Sequence, residues 1–196
     1  MKNAPVSVQL FFLQDDGTIS LFFNADGEGP LSGQQFPGET VPQACVRVAA
    51  DRLGLTLPES HIRVLTASDT RAICLCYHML PPGVRYRAVF PEELNAVSFL
   101  LSLGISEQDH VLWFPILRLE SARRRIPPGD YRHFKGDAYQ VRGLALNSET
   151  LEPMVIYQAL YGGGEIWVRP ASMWLEPVDR EDYHGPRFIF VRADQP

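Results

Sequence analysis

The chain has 196 residues, of which 45% are hydrophobic and 21% are charged, a composition typical of a globular protein that buries a core. Its formal net charge of -5 argues against general nucleic-acid binding, which usually depends on a basic surface. The first residues lack the pattern of a signal peptide and no run of about 18 apolar residues occurs, so we expect a cytoplasmic protein without a membrane span. Three cysteines are too few for a disulfide framework, have no partners for a zinc site, and predict buried reduced thiols.

The first 120 residues combine strand patterns with helical patterns. β-Rich runs at 6–13 and 19–23, separated by turn residues, predict a hairpin, and the Gly- and Pro-rich segment 27–38 predicts a loop. Apolar residues recur at helical spacing over 41–53, and Gly54 is suited to the C-terminal cap of this helix. The remaining elements predicted for this part are strands at 62–66 and 71–79, a helix at 92–103 and a strand at 111–119.

The second part has a different pattern. Residues 121–128 contain the run Arg123–Arg125 and a double proline, which breaks both helical and strand periodicity, so we interpret them as a linker. We therefore divide the chain into a first domain at 1–120, this linker, and a small all-β, barrel-like module at 129–196, giving an α+β protein. The strands predicted for the module are 131–134, 138–146, 154–160, 166–168 and 187–191.

The loop and helix at 31–55 carry a family resemblance. Gly33, Glu39, Arg47 and Gly54–Leu55 follow one another at the spacing of the Nudix box, and Leu31–Glu39 resembles the glycine-rich loop of Nudix proteins. Residues 112–116 resemble the strand that closes the Nudix fold, and the resemblance covers roughly 5–120. It implies an α/β/α sandwich and, in catalytic members, a pyrophosphohydrolase that uses divalent metal.

The metal-binding glutamates of the Nudix family are not kept in this chain. The corresponding positions are Val48, Asp51 and Arg52, so one carboxylate is absent, one is shortened and one is replaced by a positive charge. A guanidinium about 4 Å from a metal position opposes the ion by roughly 4 kcal/mol at intermediate dielectric. We expect a vestigial box without metal, cofactor or catalysis. The alternative is a divergent Mg²⁺- or Mn²⁺-dependent hydrolase of nucleoside diphosphate derivatives, with ligands from Glu39, Asp51 and the acidic residues near Glu107.

The second part resembles another family, over a stretch of sequence with little interruption. The segments Tyr131–Gly136, Ser148–Pro153, Val155–Tyr161 and Trp167–Pro170 resemble the small bacterial family called domain of unknown function 1653, with a match over about 129–176. The resemblance implies a compact β fold and supplies no reaction.

Polar, titratable and aromatic residues at the predicted strand ends of the module form our candidate ligand site. Rings beside Arg and Lys can hold a base or a phosphate, although the same residues could serve core packing and ion pairing. The candidates are Tyr131, Arg132, His133, Lys135, Glu149, Glu152 and Arg169. The leading hypothesis is a non-catalytic ligand-binding or regulatory protein whose partner is an unidentified small molecule or protein. Nucleotide or nucleic-acid binding through the module and Arg123–Arg125 is a further alternative.

Overall fold

A computed structural model describes residues 6–24, 27–94, 98 and 107–193. The side chains at 24, 107–112 and 193 lie outside that description. By its internal contacts the chain divides into two compact units, residues 1–117 and residues 118–196. None of the described helices is both long enough and apolar enough to cross a membrane.

The described residues of unit 1 form a mixed sheet of seven strands. The strands are β1 (Ser7–Leu13), β2 (Ile19–Asn24), β3 (Gly27–Gly29), β4 (Leu31–Gln34), β5 (Ile62–Ala67), β6 (Arg71–Cys76) and β7 (Tyr86–Val89). Strands β2, β1, β6 and β5 lie side by side; β1 runs parallel to β6 and antiparallel to β2 and β4. The predicted hairpin of β1 and β2 is confirmed.

The central strand β1 is buried on both faces, and its side chains alternate between two cores. Leu10 and Phe12 pack on the first core with helix α1 (Val41–Leu53), whereas Phe11 and Leu13 pack on the second core with Trp113. Because successive side chains of a strand point to opposite faces, helical residues cover both faces of the sheet. This is the layered arrangement expected from the Nudix resemblance.

Helix α1 begins and ends where the sequence predicts. Thr40 is the N-cap and forms a capping box with Gln43, each side chain accepting a hydrogen bond from the backbone amide of the other residue. Gly54 ends the helix in the left-handed conformation, with φ 67°, and its amide bonds back to the last turn. Local signals at both ends therefore define this helix.

Between residues 27 and 103 one prediction needs correction, and another falls mostly outside the described residues. The segment 27–38 is not all loop, because it contains the short strands β3 and β4, which pair with β2 and β1. Of the helix predicted at 92–103, the structure describes a 3-10 turn at Pro91–Glu93, and most of the remainder lies outside the described residues.

The strand predicted at 111–119 is wrong, because these residues belong to helix α2 (Glu107–Arg125). The same helix includes the first five residues of the linker predicted at 121–128, and only 126–128 lie beyond it. Pro115 and the surrounding apolar run obscure the helical periodicity in the sequence. In the helix Trp113 and Leu117 share one face and pack on the second core of unit 1. Leu119, Ala122 and Ile126 contribute to the core of unit 2.

Unit 2 contains an antiparallel sheet of five strands in the order β11, β10, β9, β8, β14. Among the described strands β11 and β14 are the two ends of this order, so the sheet is not the closed barrel that the sequence suggested. Nor is the unit purely β, since it includes a short helix and part of α2. Its elements are β8 (Gly129–His133), β9 (Ala138–Leu146), β10 (Pro153–Ala159), β11 (Ile166–Pro170), α3 (Ala171–Leu175), the hairpin of β12 (Pro177–Arg180) and β13 (Tyr183–Pro186), and β14 (Phe188–Ala193).

Candidate functional site

In the segment that resembles the Nudix box, the side chain of Val48 packs directly against Gly33. Val48 is 3% exposed and belongs to the first core, at a position where the family resemblance implies a metal-binding glutamate. A Cβ atom added to Gly33 would lie 2.4 Å from Cγ2 of Val48, so the valine side chain occupies the space directly over the glycine. The box position is therefore filled by hydrocarbon.

Glu39 and Arg47 lock the loop that precedes α1. Nε of Arg47 donates to Oε1 of Glu39 at 2.7 Å, and Nη2 donates to Oε2 at 3.0 Å and to the carbonyl oxygen of Gln34 at 2.6 Å. The ring of Phe36 lies 3.8 Å from the guanidinium carbon. The hydrogen bonds from Arg47 and from the Phe36 amide lower the pKa of Glu39 from 4.5 to about 2. This arrangement uses the glutamate as a structural partner of the arginine.

The residues at the box do not fit a divalent metal. Val48 offers no ligand atom, Asp51 is an exposed partner of Arg47 at 3.5 Å, and the guanidinium of Arg52 opposes a cation. Within the described ranges no three His, Cys, Asp or Glu side chains converge as a metal would require. The side chain of Glu107, invoked in the hydrolase alternative, lies outside the described residues.

In unit 2 the sheet carries an aromatic cluster centred on Phe188. The Phe188 ring stacks on Trp174, with centroids 3.7 Å apart and an interplanar angle of 5°. His133, Tyr139 and Tyr157 surround the same ring at centroid distances of 4.9, 5.8 and 6.4 Å. Phe188 is buried, whereas His133 and Tyr139 are half-buried and so remain open to solvent on one side.

Positive charge surrounds this aromatic cluster. The guanidinium carbon of Arg169 lies 5.5 Å from the centroid of Phe188. Burial lowers the pKa of His133, and the positive charges of Arg169 and Arg187 lower it further, whereas the Asp137 carboxylate acts in the opposite direction. Arg187 precedes Phe188, which pairs with His133, and its carbonyl oxygen accepts a hydrogen bond from the Phe134 amide at 3.0 Å, so the three groups lie near one another around Phe188.

The arginines of this neighbourhood are incompletely paired. Arg187 bonds Glu176 at 3.0 Å through Nη2, but its buried Nε has no hydrogen-bond partner within the described residues. Arg169 forms no ion pair with any of the described residues. Buried donors are usually satisfied, and an unpaired one commonly marks a place where water or a ligand binds.

The side of the cluster nearest β11 is open. In the register of β10 and β11, Tyr157 is opposite Trp167 and Val155 is opposite Arg169, so these four side chains share one sheet face. Trp167 is 54% exposed although it lies on the face that carries the cluster. The hydroxyls of Tyr139 and Tyr161 lie 2.7 Å apart, and Tyr161 is also exposed.

The structure brings together only some of the residues that the sequence suggested. His133 and Arg169 meet at Phe188, and the charge of Lys135 also acts on His133. Tyr131 lies in the core and donates its hydroxyl to the carbonyl oxygen of Pro127. Arg132 alternates with His133 along β8 and is exposed on the other face.

The two glutamates of the suggested set lie elsewhere. Glu149 is exposed in the turn between β9 and β10, where its amide bonds the side chain of Asn147. Glu152 accepts a hydrogen bond from the hydroxyl of Ser172. Neither forms an ion pair with the candidate arginines among the described contacts.

Sequence reasoning missed Arg187, Phe188 and Trp174 as parts of this neighbourhood. Phe188 reaches His133 because β14 pairs with β8, a contact between strands more than 50 positions apart in the sequence. No local pattern reports such a pairing. The available signal was the aromatic content of 167–188 together with its three arginines.

Comparison with known proteins gives a family match for the C-terminal part of the chain. Residues 129–190 match the family model described as "Protein of unknown function (DUF1653)", which confirms the predicted resemblance. A DUF1653 protein of known structure from Bordetella bronchiseptica is 40% identical over 36% of this chain and 94% of its own, with a TM-score of 0.33.

The N-terminal part is similar in structure to Nudix hydrolases. An ADP-ribose pyrophosphatase from Streptococcus suis is 18% identical over 53% of this chain and 93% of its own, with a TM-score of 0.37. A Nudix-family hydrolase from Clostridium perfringens is 17% identical over 60% of this chain and 98% of its own, with a TM-score of 0.33. No curated protein matches the chain.

Proposed function

We propose that the protein is a non-catalytic ligand-binding protein, in which the β unit binds a small anion that carries a planar ring. The observation that carries this proposal is the incompletely paired positive charge of Arg169 and Arg187 beside His133 and the aromatic cluster. The Nudix-like unit serves as a scaffold that has lost its metal site.

The charges favour an anion at the cluster. Burial and then the charges of Arg169 and Arg187 lower the pKa of the His133 imidazole, so negative charge placed at this site would be favoured. A phosphate or carboxylate there would accept charge-assisted hydrogen bonds, each contributing about 1.5–3 kcal/mol. The donors for it are Nε of Arg187, which has no hydrogen-bond partner within the described residues, and the guanidinium of Arg169, which lies over the Phe188 ring.

The aromatic side chains favour a ligand with a ring. Trp167 is exposed on the face shared with Tyr157 and Arg169, so a planar group could stack on the indole while an attached anion reaches the arginine. Stacking of a base on an aromatic side chain contributes about 1–3 kcal/mol. A nucleoside monophosphate combines both features and is the simplest probe.

The loss of catalysis rests on the vestigial box. Val48 is buried against Gly33 and cannot become a ligand without a change of side chain, while Glu39 is held by Arg47. A hydrolase of the Nudix type needs several carboxylates around one metal, and the box supplies only those of Glu39 and Asp51, both of which contact Arg47.

Binding is tested by thermal unfolding of the full chain with AMP, adenosine and inorganic phosphate. A ligand at about 100 times its dissociation constant adds roughly 2.7 kcal/mol of stability, so we expect AMP to raise the melting temperature more than either fragment. Arg169→Gln should raise the dissociation constant about tenfold or more, because a charge-assisted hydrogen bond is lost. The matched control is Arg132→Gln, on the opposite sheet face, which should leave binding unchanged. Equal effects of the two variants, or no stabilisation by any probe, would contradict the proposal.

Catalysis is tested separately with ADP-ribose as a nucleoside diphosphate derivative in Mg²⁺ or Mn²⁺. We expect no hydrolysis above a protein-free control. Turnover that disappears in both Glu39→Gln and Asp51→Asn would establish the hydrolase alternative.

A further inference from the structure

The strand β11 exposes an unusual run of apolar side chains. Ile166, Trp167 and Val168 are consecutive and are 66%, 54% and 63% exposed. In the register with β10, Ile166 and Val168 point to one sheet face and Trp167 points to the other. Large apolar residues exposed on both faces of an edge strand are typical of a surface that pairs with another chain.

The backbone of β11 also has hydrogen-bonding groups to offer. The amide of Ala159 donates to the carbonyl oxygen of Glu165, so this opposite pair is a hydrogen-bonded one. Hydrogen-bonded pairs alternate along an antiparallel ladder, so the backbone groups of Trp167 point toward β10. Those of Ile166 and Val168 therefore point away from the sheet, toward the open edge.

The other edge of the sheet is less suited to pairing. Strand β14 also exposes apolar residues, but its ladder with β8 shifts register between Phe190 and Arg192. Such irregularities twist an edge and disfavour the addition of a strand. The ladder of β11 with β10 has no shift over its five residues.

We propose that two copies of the chain associate through antiparallel pairing of their β11 strands, about a two-fold axis at Trp167. This register places Ile166 of each copy opposite Val168 of the other, and the two pairs exchange four backbone hydrogen bonds. The two Trp167 side chains meet on one face. Glu165, which has no ion pair in the described part of the chain, lies opposite Arg169 of the second copy. Because Trp167 and Arg169 also belong to the proposed ligand site, dimer formation and ligand binding compete for these two side chains.

The pairing register centred on Trp167 fits the sequence of β11 better than the two adjacent registers do. An axis at Val168 would set Ile166 opposite Pro170, which has no amide hydrogen to donate. An axis at Ile166 would set Val168 opposite Gly164 and leave both charged residues without an opposite charge. Pairing centred on Trp167 combines apolar pairs, opposite charges and satisfied edge groups.

Oxidative cross-linking tests this register directly. In a non-hydrogen-bonded antiparallel pair the two Cα atoms are about 4.5 Å apart, within the range that a disulfide spans. We therefore expect Trp167→Cys to form a covalent dimer under mild oxidation. The matched control is Val168→Cys, which is similarly exposed but lies more than about 7 Å from its own copy and should cross-link far more slowly. The native thiols of Cys45, Cys74 and Cys76 are buried and do not interfere. Equal cross-linking of the two variants, or none in Trp167→Cys, overturns the register.

Sedimentation equilibrium of the full chain tests the association itself. We expect a monomer–dimer equilibrium, with a dissociation constant raised about tenfold or more by Val168→Lys, because an apolar pair is replaced by a charge at the centre of the interface. Ile189→Lys places the same charge on β14 at the other edge and should leave the equilibrium unchanged. A wild-type protein that stays monomeric up to millimolar concentration overturns the proposal, as does a dimer that is sensitive to Ile189→Lys rather than Val168→Lys.

Discussion

Replacement of Gly33 by alanine tests whether the Val48 side chain fills the space over this glycine in the Nudix-like segment. The added Cβ would lie 2.4 Å from Cγ2 and 3.3 Å from Cγ1 of Val48, whereas ordinary contacts begin near 3.4 Å. Relief of the closer contact requires a movement of about 1 Å between strand β4 and helix α1, both of which belong to a packed core. Overpacking of this kind costs about 1–3 kcal/mol.

A double-mutant cycle separates this steric effect from a general loss of stability. Val48→Ala alone removes two methyl groups from a buried site and should cost about 1.5–3 kcal/mol. In the double variant only the Cβ of residue 48 remains near the new methyl group, at 3.5 Å, so the clash disappears. The double variant should therefore be more stable than the sum of the single effects predicts, by about 1 kcal/mol or more.

The free energy of unfolding of the four proteins is measured by urea denaturation followed by circular dichroism. Each kcal/mol should also lower the melting temperature by about 2–4 °C for a chain of this size. Additive effects, or a Gly33→Ala cost below about 0.5 kcal/mol, would refute the inference that the Val48 side chain occupies the space over Gly33, where the family resemblance implies a metal ligand.

Three further predictions follow from individual contacts. The pKa of Glu39 is lowered from 4.5 to about 2, so its pair with Arg47 stabilises the fold above about pH 4.5 and that contribution is lost as the pH falls toward 2. A carboxyl NMR titration should place the Glu39 pKa near 2 and return it toward 4.5 in Arg47→Gln; an unchanged pKa in the variant counts against the pair. Phe188→Ala should destabilise unit 2 by about 3–5 kcal/mol, because it empties the centre of the aromatic cluster, and a loss below 1 kcal/mol in urea denaturation contradicts that role. Burial raises the pKa of Cys76 to about 12, so this thiol should react with an aromatic disulfide reagent only as fast as the protein unfolds, and rapid labelling at pH 8 would be inconsistent with its burial.

Elements with local signals at both ends could be predicted from the sequence. Helix α1 is predictable to the residue because Pro42, the apolar spacing and Gly54 all agree, and strand β9 is predictable from its run of β-favouring residues between turn residues. Helix α2 was mistaken for a strand followed by a linker, since Pro115 and a dense apolar run remove the usual helical signature. The hairpin of β12 and β13 was missed because its strands are short and begin or end at proline.

The candidate site was predictable only in part, for a physical reason. His133 and Arg169 were singled out by residue type, but they form one neighbourhood because Phe188 joins them through a long-range strand pairing. The alternation of β8 then sends Arg132 to the opposite face, which residue type alone does not reveal. Whether a residue belongs to such a site depends on the sheet face to which its side chain points and on the register of strand pairing. Both are set by tertiary structure.

The most direct test of the proposed function is an NMR pH titration of the His133 imidazole with and without AMP. Burial and the charges of Arg169 and Arg187 lower the His133 pKa in the free protein. A bound phosphate would place negative charge beside the imidazole, so we predict that AMP raises this pKa by about one unit and binds more tightly as the pH falls. A His133 pKa that stays the same at millimolar AMP would contradict the assignment of an anion site to the β unit.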